Sequence, residues 1–130
     1  MKTSVIWQLL LVGSGGFVGS VLRFAVSGGV HSLLPSRTFP IGTVVVNIVG
    51  CLIIGFLGGL ADIRQVFGPQ ARLFLFIGIL GGFTTFSTFA YETFQLSQDT
   101  QTLKALGNVL VQVVLGFLGA WLGYVGARYL

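Results

Sequence analysis

Residues 41–60 read IGTVVVNIVGCLIIGFLGGL, twenty positions without a charge. About 20 predominantly apolar residues cross a bilayer as a helix. A transmembrane β-strand would alternate apolar and polar positions over a short segment, and this run does not alternate. Three further uncharged windows flank it: residues 3–22, extended past Arg23 to about residue 30, residues 73–91, and residues 105–127. The sequence therefore predicts an all-α membrane protein of four transmembrane helices, at about 4–30, 41–61, 72–94 and 103–129. They form a single domain over residues 1–130, with short polar connections.

Composition excludes the other broad classes. Of the 130 residues, 54% are hydrophobic and 8% charged, and the mean hydropathy is +0.95. A soluble domain carries about 25% charged residues, and disorder requires low hydrophobicity. The net charge is +4, but Lys2, Arg23, Arg37, Arg64, Arg72, Lys104 and Arg128 are scattered. No basic cluster suggests nucleic acid; most of these residues read as headgroup-facing anchors at loops and helix ends. The start resembles a signal peptide, yet the apolar run continues to Leu22 without a small-residue cleavage site, so it reads as a retained first span. Cys51 has no partner for a disulfide, and the lone His31 is expected in the first loop.

An even number of spans places both termini on one side, with Lys2, Arg64, Arg72 and Arg128. The other side receives Arg37 and Lys104, plus Arg23 if it snorkels. The Lys/Arg asymmetry that orients short-looped membrane proteins is weak here, which permits dual topology and an antiparallel dimer. Glycines pair at small-xxx-small spacing: Gly15 and Gly19, Gly55 and Gly59, Gly78 and Gly82, Gly119 and Gly123. Such pairs let helix backbones approach in lipid, where no hydrophobic force associates helices.

The inventory for catalysis is thin. There are three carboxylates: Asp62 and Asp99 are expected in loops, and Glu92 lies at the end of the third span. No Ser/His pair, cysteine cluster or phosphate-binding loop is present, so an enzyme is not expected. The membrane windows instead hold neutral polar groups. Thr43 and Asn47 lie four apart on one helix face, as do Asn108 and Gln112. The third window contains Gly81-Gly82-Phe83-Thr84-Thr85-Phe86-Ser87-Thr88-Phe89. Its glycines and β-branched threonines make a poor helix interior. The helix is expected to break there, mid-membrane, with Gly81 and Gly82 opening the backbone. Loosened carbonyls at such a break can coordinate a hard cation such as Na⁺.

Phe86 and Phe89, three apart, share one side of the helix that follows. Their ring edges carry partial positive charge and could border an anion, with Asn47 and threonine hydroxyls as donors. Plain packing is the commoner role for such a pair. Arg23 either snorkels to an interface or faces a wet vestibule that attracts anions.

Three segments carry a family resemblance: Gly15-Gly16-Phe17-Val18-Gly19-Ser20-Val21-Leu22-Arg23-Phe24, Pro40-Ile41-Gly42-Thr43-Val44-Val45-Val46-Asn47, and Gly78-Ile79-Leu80-Gly81-Gly82-Phe83-Thr84-Thr85-Phe86-Ser87-Thr88-Phe89 followed by Glu92. With these the chain resembles the Fluc (CrcB) family of fluoride channels. The resemblance implies passive, fluoride-selective export through two pores of a dual-topology antiparallel homodimer in the inner membrane. It implies a fluoride pore at Phe86 and Phe89, lined or supported by Thr43, Asn47, Ser87 and Thr88, with Arg23 near the vestibule. It also implies a structural, untransported Na⁺ on the backbone carbonyls of Gly81 and Thr84. One stretch departs from the family pattern: where a Tyr and Ser track is usual on the fourth helix, this chain has Asn108, Gln112 and Gly116. The two amides would continue a hydrogen-bonding track beside the pore. Two other readings are a small dual-topology multidrug exporter and a non-transporting membrane subunit. The exporter would need a glutamate in the first span, and residues 3–22 have none.

Overall fold

The computed structural model describes residues 4–36 and 38–129. Lys2 and Arg37, counted in the charge balance above, lie outside the described residues. Helix α1 covers Val5–Leu33 and α2 covers Ile41–Ile63. The third span begins as α3 (Pro69–Arg72) and continues through a π-helical stretch, Leu73–Leu80, into α4 (Gly81–Phe83). It resumes as α5 (Phe86–Gln98), and α6 covers Thr102–Gly126. All four spans, counted as Val5–Leu33, Ile41–Ile63, Pro69–Gln98 and Thr102–Tyr129, are long and apolar enough to cross a membrane.

Local chemistry sets the helix ends. The Ser4 hydroxyl accepts from Trp7 N–H at 3.3 Å and caps α1. At the other end Leu34 leaves the helical region (φ −126°, ψ 71°) ahead of Pro35, which bars further helix. His31 and Asp62, expected in loops, instead occupy the last turns of α1 and α2, since nothing stops either helix before Pro35 or the left-handed Gln65 (φ 52°). Arg72 ties down the α2–α3 turn by donating to the carbonyls of Ala61 and Phe67, both at 3.4 Å. The α5–α6 turn closes with Thr100 in the left-handed region (φ 57°) and Gln101 N–H on Leu96 carbonyl at 3.0 Å.

Two helix pairs make the bundle. α1 packs on the π-helical stretch and α4, and α2 packs on α6. Both seams are built on the paired glycines. A Cβ added to Gly78 would lie 2.8 Å from the Cα of Gly15, and one added to Gly123 would lie 2.7 Å from the backbone nitrogen of Phe56. Gly82 belongs to the first seam too: its added Cβ would meet the Gly16 carbonyl oxygen at 2.6 Å. Gly81 and Gly82 are both helical, so they do not open the backbone. Gly82 is small because another helix needs the space.

The interior holds polar side chains, and large apolar ones cover the exterior. Asn108, Thr43 and Gln112 are buried, while Phe17, Phe117 and Trp121 are 71%, 76% and 60% exposed. Water would not tolerate such a surface, and hydrocarbon does.

Candidate functional site

The third span changes course after Phe83. Thr84 (φ −83°, ψ 159°) and Thr85 (φ −151°, ψ 116°) are both extended, and helix restarts at Phe86. The restart has a capped N-terminus: the Thr85 hydroxyl accepts from Thr88 N–H at 3.2 Å. A threonine cap contributes about 1 kcal/mol. That hydroxyl in turn donates to Thr88 Oγ1 at 3.0 Å, and the Thr88 proton has no acceptor among the described residues.

Asn47, on α2, holds the peptide of Thr85 as a neighbouring strand would. Its Oδ1 accepts from Thr85 N–H at 2.8 Å and its Nδ2 donates to Thr85 carbonyl at 3.0 Å. The second Nδ2 hydrogen goes to Gln112 Oε1 at 2.7 Å. Gln112 Nε2 donates to Asn108 Oδ1 at 3.0 Å, and Asn108 Nδ2 donates to Thr93 Oγ1 at 2.8 Å. Thr93 Oγ1 donates to Phe89 carbonyl at 2.7 Å. Nearby, Thr43 Oγ1 donates to Glu92 Oε1 at 2.8 Å, and Glu92 Oε2 is buried without a partner among the described residues.

These contacts have a consequence for the backbone. In an unbroken helix, Thr85 N–H would bond to Gly81 carbonyl and Thr88 N–H to Thr84 carbonyl. Both donors are diverted to side chains, Asn47 Oδ1 and Thr85 Oγ1. The carbonyls of Gly81 and Thr84 thus lose their helical donors.

Beyond the break, the rings of Phe86 and Phe89 lie 5.6 Å apart between centroids, tilted by 59°. Phe86 is 78% exposed, and Ser87 and Thr88 beside it are exposed as well. A cleft of about 790 Å³ opens nearby. It is lined by Arg23 from α1, Thr43 from α2, and Thr85, Thr88 and Glu92 from the third span, among others. With 29 residues, α1 is about 43 Å long, more than the hydrocarbon thickness, so one end stands beyond it.

A family model described as "CrcB-like protein, Camphor Resistance (CrcB)" matches residues 10–124. The chain belongs to the CrcB family. Relatives of this CrcB-family chain include a protein of Geobacter sulfurreducens named "Fluoride-specific ion channel FluC", 44% identical over 94% of this chain and 98% of the relative. Another, from Helicobacter pylori strain P12, has the same name and is 42% identical over 98% of this chain and 95% of the relative. "Fluoride-specific ion channel FluC 1" of Methanosarcina acetivorans is 39% identical over 93% of this chain and 91% of the relative.

In this CrcB-family chain the expected site residues fall into two groups. Arg23, Thr43 and Thr88 line the cleft; Phe86, Ser87 and Phe89 do not, although Thr88 stands between Ser87 and Phe89 in the sequence. Asn47, Asn108 and Gln112 do not line it; they form the internal relay. Sequence reading missed Thr85 and Thr93 as site residues. Thr85-x-x-Thr88 was a usable signal, since a threonine hydroxyl caps the N–H three residues on. Thr93 offered no local signal, because its partner Asn108 comes from another helix.

Proposed function

We propose that this chain is a passive, fluoride-selective channel that lets fluoride leave the cell across the inner membrane. The observation that carries the reading is near full-length similarity to proteins named fluoride-specific ion channels, at 39–44% identity. An ion channel is not an enzyme. No three His, Cys, Asp or Glu side chains cluster among the described residues.

The geometry supports the same reading. Fluoride is small and strongly hydrated, and moving an unpaired ion into low dielectric costs tens of kcal/mol on an idealised estimate of about that size. Neutral donors offset this cost without trapping the ion. The Thr88 hydroxyl proton has no acceptor among the described residues, and the amino-terminal N–H groups of α5 add a positive dipole end. The positive ring edges of Phe86 and Phe89 lie in the same first turns. Arg23 in the cleft raises the local anion concentration. Fluoride passes from the cleft along Thr43, Ser87 and Thr88 and then between the phenylalanines, with Asn47, Gln112 and Asn108 behind this path.

The break at Thr84 and Thr85 lies at mid-bilayer depth, and two copies assemble antiparallel with two pores. The exposed Phe86, Ser87 and Thr88 support this, since hydroxyls beside a ring need a polar or protein neighbour in lipid. The carbonyls of Gly81 and Thr84, freed of their helical donors, are the donor type a sodium ion takes. Bound there, Na⁺ would supply charge that holds the two broken helices together, and it would not be transported. The exporter reading lacks support because Val5–Leu33 carries no glutamate.

The test is fluoride efflux from liposomes holding the purified chain, followed with a fluoride electrode. Phe86→Ile and Phe89→Ile should suppress efflux and leave the dimer intact on size exclusion. Undiminished efflux in both variants would remove the phenylalanines from the path.

A further inference from the structure

We propose that Gln112 and Asn108 are positioning residues for the fluoride path, acting through a one-way hydrogen-bond relay that holds both ends of the segment bearing Phe86 and Phe89. The inference rests on the channel reading above. One end of the relay is the Thr85 peptide, immediately before Phe86, and the other is the Phe89 carbonyl. Neither amide touches the cleft, and Asn108 is completely buried. Their route to the ion runs through other groups.

The polarity of the relay follows from the Thr85 peptide. A backbone N–H only donates and a carbonyl only accepts. The Asn47 amide atom facing Thr85 N–H is therefore oxygen, and the one facing Thr85 carbonyl is nitrogen. An amide NH₂ has no acceptor capacity, so its second hydrogen must meet an oxygen, Oε1 of Gln112. That orients Gln112, whose Nε2 then needs the Asn108 oxygen. Asn108 in turn presents Nδ2 to the Thr93 hydroxyl, and the Thr93 proton passes to Phe89 carbonyl. Turning any one amide over sets donor against donor or acceptor against acceptor in a buried site. A hydroxyl track reverses by rotating single bonds; two carboxamides reverse only by turning over together. This chain's fourth helix thus supplies a stiff, directional brace where hydroxyls would give an adaptable one.

The brace predicts linked effects on local order and on permeation. The experiment uses the full chain reconstituted in liposomes, with Gln112→Met, a near-isosteric apolar replacement, and Thr93→Val at the far end of the relay. Amide hydrogen exchange over residues 84–89, fluoride efflux, and the ratio of fluoride to chloride efflux are measured on each. In Gln112→Met, exchange at Thr85 should quicken by roughly tenfold and fluoride efflux should slow by a similar factor, the scale set by one lost buried hydrogen bond. The fluoride-to-chloride ratio should fall, which a merely destabilised but normally shaped channel would not show. Thr93→Val should give the same signature more weakly. Parental exchange in the folded variants would overturn the inference, as would faster exchange with parental efflux and selectivity. If Gln112→Met does not fold, Thr93→Val decides by the same criteria. An unmutated chain that conducts no fluoride would sink the channel reading, while exchange at Thr85 would still report on the brace.

Discussion

Asn47 makes three hydrogen bonds with one side chain, two to the Thr85 peptide and one to Gln112. Extended backbone at Thr84 and Thr85 would otherwise leave the Thr85 N–H without its helical partner, and a buried donor left unpaired costs about 1–3 kcal/mol. The side chain therefore holds the break open and supplies its missing bonds. Asn47→Asp keeps the shape and the bond from Thr85 N–H. It removes both donors and sets a carboxylate oxygen against Thr85 carbonyl and Gln112 Oε1. Each buried acceptor left without a donor costs about 1–3 kcal/mol. The variant should melt at lower temperature in detergent, and its fluoride efflux should fall by roughly tenfold or more. Parental melting and parental efflux together would show that the clamp carries nothing.

The elements are held by close approach of backbone to backbone. Gly123 sits where α6 meets α2, and an added Cβ there would lie 2.7 Å from the Phe56 nitrogen. Gly107, on the same helix, has nothing within 4 Å. Gly123→Ala forces the pair apart, at a cost of about 1–3 kcal/mol for overpacking. Gly107→Ala should be neutral or slightly stabilising, because alanine is the better helix former. Thermal aggregation of the two purified variants separates these outcomes; equal behaviour would refute the seam.

Much at this scale was legible in the residues. Charge-free runs of twenty or so positions announce membrane helices, because the bilayer thickness sets a length and forbids charge. The four-residue spacing of Asn108 and Gln112 announces a shared face, and their amides do bond. What stayed hidden depends on other helices. The same glycine serves equally to open a backbone or to let a neighbour approach, and Gly82 does the second because of Gly16, far away in sequence. The π-helical stretch Leu73–Leu80 has an ordinary apolar sequence with no local mark of its wider turns. Likewise, Asn47 was visible as a polar residue in a span. Its grip on Thr85, 38 positions later, was not.

For the whole molecule, four long apolar spans with large hydrophobic side chains on their outer faces place the chain in a membrane, and the weak Lys/Arg imbalance leaves its direction open. Dual topology makes a specific prediction. Adding lysines to the 64–68 connection should force one insertion, and adding them to the 99–101 connection should force the other. Each variant alone should be inactive, and the two produced together should restore fluoride efflux. Full activity from either variant alone would argue against antiparallel assembly. The central claim, selective passage of fluoride, is tested most directly by measuring fluoride and chloride efflux from the same liposomes reconstituted with the unmutated chain in Na⁺-containing buffer. Rapid fluoride efflux with little or no chloride efflux is expected. Equal efflux of the two ions, or none of either from folded protein, would contradict it.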